Sequence, residues 1–144
     1  MRIRSPVIAA AAAVALGTAG ALLAPAAASA HSATQTLTFT SVVRNFVSFT
    51  STTGAEQDTD VTSAGTVIGF DEVSVTLGTT ANTADIAFAL NGGLLYGTLT
   101  ISRSTGTAAG PVTGGTGSFA GATGTITGTP ITKRKEALTI TYGS

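Results

Sequence analysis

Apolar residues alternate with threonine along most of this chain, and glycine cuts the alternation into strand-length pieces. In Thr36-Leu37-Thr38-Phe39-Thr40 the apolar side chains fall on one face and the threonines on the other. Ile86, Phe88 and Leu90 share a face against Asp85, Ala87 and Ala89, and Leu95, Leu99 and Ile101 oppose Tyr96, Thr98, Thr100 and Ser102. Leu138, Ile140 and Tyr142 oppose Thr139 and Thr141, and Val73, Val75 and Leu77 hold one register in the longer run from Val67. A period of two puts successive side chains on opposite faces of a pleated strand, whereas a helix needs a period of about 3.6. Threonine supplies about a quarter of residues 31–144, and its β-branch suits a half-wet pleated surface. Thr53-Gly54, Asn91-Gly92-Gly93, Ser104-Thr105-Gly106 and Gly128-Thr129-Pro130 read as the turns between runs. That spacing predicts roughly seven to nine strands.

Strands with one greasy and one polar face must bury the greasy one, and no amphipathic helix is present to cover an open sheet. A two-layer sandwich answers the same pattern as a closed antiparallel barrel. The barrel is favoured because closure removes the exposed edges that invite aggregation.

Residues 1–30 read as a secretory signal peptide rather than as fold. Arg2 and Arg4 start it, Val7 to Leu16 is unbroken apolar chain, Pro25 interrupts it, and Ala28-Ser29-Ala30 offers a cleavage site before His31. The expected mature protein is therefore secreted, keeps no membrane span, and consists of one domain over residues 31–144. Secretion permits disulfides, but the chain has no cysteine, so packing and a closed hydrogen-bond network must stabilise it. Over residues 31–144, Arg44, Arg103, Lys133, Arg134 and Lys135 face Glu56, Asp58, Asp60, Asp71, Glu72, Asp85 and Glu136, five basic residues against seven acidic. With no basic field, nucleic acid is not an expected partner. Glu56, Asp58 and Asp60 read as a solvated loop, and Lys133-Arg134-Lys135 as a solvated turn in preference to a polyanion patch.

One segment is unusual. From Val112 to Gly124, a single aromatic, Phe119, stands among Gly114, Gly115, Gly117, Gly121, Gly124 and other small residues. Such a run lets the chain turn tightly and backbones approach closely, with Phe119 anchoring it to the core. Gly115-x-Gly117-x-x-Ala120 formally fits a dinucleotide fingerprint. Too little chain follows it for the required helix, strand and acidic residue, and the P-loop Lys-Thr or Lys-Ser pair is missing.

The run instead resembles the glycine signature of the dirigent and allene oxide cyclase superfamily in its small secreted bacterial form. Val67-Ile68-Gly69-Phe70-Asp71 and Leu90-Asn91-Gly92-Gly93-Leu94-Leu95-Tyr96-Gly97 are similar to that family's upstream strand and hairpin, in order and spacing, across residues 35–144. The resemblance implies a closed eight-stranded antiparallel β-barrel whose lumen holds an apolar small molecule. It also implies a possible homo-oligomer, since relatives form dimers or trimers. Thr123 stands where plant dirigent proteins usually carry Arg.

Absences narrow the chemistry. His31, the one histidine, sits at the expected mature N-terminus, so a Ser-His-Asp triad or histidine zinc site is not expected. There is no thiol nucleophile, and Glu56, Asp58 and Asp60 lack the glycine and terminal glutamate of an EF-hand. No metal and no cofactor are expected. Arg44, Asp71, Arg103 and Glu136 share the even spacing of neighbouring apolar residues. If those registers hold they point into the barrel or its mouth, where Arg103 should pair with Glu136 or Asp71. The preferred alternative is that each lies at a strand end and reaches water. The candidate catalytic groups are Glu136, Asp71 and Tyr96, and the candidate ligand contacts are Arg103, Arg44, Phe70, Phe88 and Tyr142. Three functions follow: a lumen that holds a lipid, terpenoid or phenolic compound and steers its conformation, a cofactor-free cyclase or isomerase acting on a reactive polyene or epoxide, or a filled structural barrel.

Overall fold

A computed structural model describes residues 33–144, and the proposed leader over residues 1–30 lies outside the described residues. The chain is all-β: β1 (Gln35–Ser48), β2 (Thr53–Val61), β3 (Val67–Thr76), β4 (Ala81–Leu90), β5 (Gly93–Ser102), β6 (Ala108–Gly115), β7 (Thr123–Thr132) and β8 (Lys135–Gly143). Each strand pairs antiparallel with the next, and β8 returns to pair with β1, closing an eight-stranded barrel in chain order. Closure, not a sandwich, answers the alternating pattern. Among the described residues no helix is long and apolar enough to cross a membrane.

The alternation read from the sequence is the inside–outside alternation of the barrel. Phe39, Val73, Ile86, Phe88, Leu95, Leu99, Ile126, Leu138 and Ile140 are buried in one apolar cluster, while the threonines between them face outward or lie part-covered. Phe39 meets Phe88 edge to face, with ring centroids 5.8 Å apart. At one end the glycine-rich segment forms a short 3₁₀ turn, Gly117–Phe119, that drives Phe119 into the core against Tyr142, 5.5 Å between centroids. Gly117 has φ +60, and a side chain on it would strike the carbonyl of Gly92, so this close crossing of turn and hairpin requires glycine. The single aromatic of the motif is thus the plug expected of it.

Two predicted turns are strand instead. Thr53-Gly54 opens β2, and Gly128-Thr129-Pro130 lies within β7; the chain reverses at residues 49–52 and 133–134. Both glycines are there to make room. The Phe46 ring lies over Gly54, 2.9 Å from where a Cβ would stand, and the Glu136 carboxyl lies over Gly128. The largest correction concerns Glu56, Asp58 and Asp60, which belong to β2 and not to a solvated loop. Their period-two spacing aims all three at the lumen.

Candidate functional site

The β1–β2, β3–β4, β5–β6 and β7–β8 turns ring the end of the barrel opposite Phe119, and the interior toward that mouth is acidic. Asp58 pairs across the sheet with Asp71, Ser41 pairs with both Asp60 and Glu136, and Glu56 follows one inward position nearer the mouth. Asp58, Asp60 and Asp71 are 6 %, 0 % and 4 % exposed, and Glu56 and Glu136 are half-buried. A pocket of about 180 Å³ opens onto this group, lined by Ser41, Glu56, Asp58 and Glu136 with Lys133 and Lys135 at its rim.

Ser41 holds the centre. Its Oγ lies 2.7 Å from Asp58 Oδ2 and 3.0 Å from Asp71 Oδ2. Asp58 Oδ1, Asp71 Oδ1, Glu136 Oε1 and both oxygens of Asp60 are buried without an N–H or O–H donor among the described residues. Carboxylates in such a place must lose charge or gain a partner. Burial, followed by the neighbouring Asp60 charge, raises Asp71 to about 9, and burial raises Asp60 to about 6. Burial, followed by the charge on Asp58, raises Glu56 and Glu136 each to about 7. Asp58 is raised too, by burial, against the hydrogen bonds it receives from Ser41 and Glu56. The arrangement is a set of carboxylic acids poised to give and take protons near neutrality. Among the described residues no three His, Cys, Asp or Glu side chains are arranged to hold a metal ion.

Of the residues singled out from the sequence, Glu136 and Asp71 come together inside the barrel. Tyr96 does not join them, for it lies on the outer wall beside Glu72, Asp85 and Ala87. Arg103 sits in the β5–β6 turn and donates Nη1 to the carbonyls of Gly78 and Thr79 at 2.9 and 3.2 Å, so it straps two turns and pairs with neither acid. Arg44 occupies a bulge between Val43 and Asn45 and donates Nε to Thr59 Oγ1 on the outside at 3.0 Å. The bulge breaks the register that would have aimed it inward. Phe70 is 59 % exposed on the outer wall, where with Arg44, Ala87, Ala89 and Leu94 it lines a hollow of about 600 Å³. Phe88 and Tyr142 are core, the former beside Asp71 in the sheet and the latter donating its hydroxyl to Gln35 Oε1 at 2.8 Å.

Sequence reasoning missed Ser41, Glu56, Asp58 and Asp60. The signal was present as Glu-x-Asp-x-Asp alternation, inside a stretch between two strands too long for an ordinary connection.

No protein-family model matches the chain, and no curated protein matches it in sequence. Solved structures do resemble it. A pyocyanin demethylase superposes with a TM-score of 0.66 at 15% identity, over 75% of this chain and 99% of that one. AbnU, described as an exo-specific intermolecular Diels-Alderase, gives 0.65 at 10% identity over 78% and 99%. The Diels-Alderase AbmU from Streptomyces koyangensis gives 0.62 at 11% over 82% and 72%. At such identities the likeness is one of fold. The resemblance to the dirigent and allene oxide cyclase superfamily read from the glycine motif is not confirmed by these comparisons.

Proposed function

We propose that the barrel mouth binds a small molecule carrying a carbonyl or similar acceptor, and that Glu136 and Glu56 act on it as carboxylic acids in a cofactor-free isomerisation or cyclisation. One observation carries this reading: two glutamates raised to about 7 line the same pocket, and Glu136 Oε1 has no donor of its own. A neutral carboxyl in a dry site donates a hydrogen bond to developing negative charge on oxygen, and a group titrating near the working pH can also return the proton. Such chemistry asks for shape and one or two polar groups, which suits a chain without cysteine and with a single histidine. The names of the three similar barrels, a demethylase and two Diels-Alderases, support a small-molecule reading. An apolar guest deep in the lumen has less support, because core side chains from Phe39 to Ile140 occupy that space.

Cyclohexenone, whose ultraviolet band moves when its carbonyl accepts a hydrogen bond, tests the reading directly. A saturable shift with the wild type, lost in the Glu56→Gln/Glu136→Gln double variant, is expected; no shift with the wild type overturns it.

The outer hollow supports a second reading, a binder of apolar molecules that does no chemistry. There Phe70, Ala89 and Leu94 offer apolar surface and Arg44 a charge at one side. Anilinonaphthalene sulfonate fluorescence that depends on Phe70, and falls in Phe70→Ser, favours it. Export is part of the proposal: protein recovered from the culture medium should begin at His31.

A further inference from the structure

The contacts among the acids fix how many protons the group must hold. Glu56 lies within hydrogen-bonding reach of Asp58, and Asp60 within reach of Asp71. Ser41 joins the two pairs through its contacts with Asp58 and Asp71. The result is a chain of four oxygen-to-oxygen contacts running Glu56, Asp58, Ser41, Asp71, Asp60. Each contact is attractive only with a proton in it, and a serine hydroxyl owns one. Three carboxyl protons are therefore needed to fill the contacts, and a fourth, on Glu56 at the mouth, is the one the chain can give up. Among the described residues the inner end has no other outlet, since Asp60 is 0 % exposed and neither of its oxygens meets an N–H or O–H donor.

We infer that Ser41 is the bridge of a proton relay, through which the sealed Asp60–Asp71 pair resupplies the carboxyls at the mouth. The relay rests on the proposed acid role of Glu56. When Glu56 gives its proton to a bound molecule, the Asp58 proton moves to Glu56. The Ser41 hydroxyl proton then moves to Asp58 as the Asp71 proton moves to Ser41 Oγ and the Asp60 proton moves to Asp71. The carboxyl proton count falls from four to three, every contact still holds a proton, and the negative charge comes to rest on Asp60. Return of the proton from product or solvent runs the same steps backwards. The other charges facing this path are Glu136 from β8 and, at the rim, Lys133 and Lys135; Arg44 is turned outward onto Thr59. Ser41 thus acts through the carboxyls on either side of it and is a positioning residue.

Infrared spectra of the ligand-free protein test the bridge, because protonated carboxyls absorb apart from carboxylates. Between pH 6 and pH 9, the range over which Asp60, Glu56 and Asp71 are held up, the wild type should lose its acid bands as one linked set. Ser41→Ala should split the set, with the Glu56–Asp58 bands leaving at lower pH than the Asp60–Asp71 bands. Ser41→Thr, which keeps the hydroxyl, should restore linkage. Absence of acid bands from the wild type at pH 6 overturns the relay, as does a Ser41→Ala titration that matches the wild type, or a Ser41→Thr that fails to restore linkage while folded. Should Ser41→Ala not fold, the comparison passes to Asp60→Asn: loss of one inner band must displace the outer bands, and unmoved outer bands overturn the relay. No ligand enters this experiment, so its failure and the failure of the cyclohexenone shift are separate results.

Discussion

Asp60 shows most plainly how a single residue is set by its surroundings. It is wholly buried, its neighbour is another acid, and among the described residues neither of its oxygens has a hydrogen-bond donor. Replacing it by Asn keeps the shape, removes the charge, and gives Asp71 an N–H donor. Asp60→Asn is therefore expected to be close to neutral at pH 5 and to stabilise by about 1–3 kcal/mol at pH 9, read from urea midpoints. Destabilisation at pH 9 would mean that Asp60 has a partner in solution. Glu136 owes its position to an absence, the missing side chain of Gly128. Gly128→Ala should push the Glu136 carboxyl toward water, and carbon NMR titration should find its pKa well below about 7, back toward the ordinary carboxylate range.

At the scale of elements, the barrel is held at its plugged end by a turn and through its middle by close strand contacts. Phe119 is the large side chain that the glycine segment delivers to the core, so Phe119→Ala should cost about 3–5 kcal/mol by thermal or urea unfolding. On β5, a methyl at Gly97 would collide with Ile126 Cδ1 and lie 3.0 Å from the Pro111 carbonyl. Gly97→Ala should cost about 1–3 kcal/mol, since the packed lumen leaves Ile126 little room to retreat. These elements were legible in the sequence where apolar and polar residues alternate: β4, β5 and β8, the Asn91-Gly92-Gly93 hairpin and the Phe119 plug all follow from the written pattern. β2 was not legible, because its inward positions are Glu56, Asp58 and Asp60, and polarity was read as exposure. Half of the site was hidden with it. Glu136 and Asp71 were found because they precede apolar residues in register, whereas Arg44 and Tyr96 were misplaced by a bulge and by facing outward, which single-strand patterns do not report.

At the scale of the whole molecule, a cysteine-free barrel carries its least favourable groups inside, and this makes its stability depend on pH in an unusual direction. The folded-state pKa values of Glu56, Asp60, Asp71 and Glu136 lie above those of the unfolded chain. The native state therefore binds more protons than the unfolded state, and stability falls as pH rises. The contribution of these groups is fully present on the acid side and is lost as pH climbs through about 6, 7 and 9. Melting temperature should drop by on the order of 10 °C across that range. The most direct measurement is to count protons. Unfolding the protein with urea in unbuffered solution at pH 7 should release at least about two protons per chain as the buried acids reach water. Release of none, or uptake, would contradict the account, because the carboxyls of the barrel would then be ionised in the folded protein and unable to act as acids at its mouth.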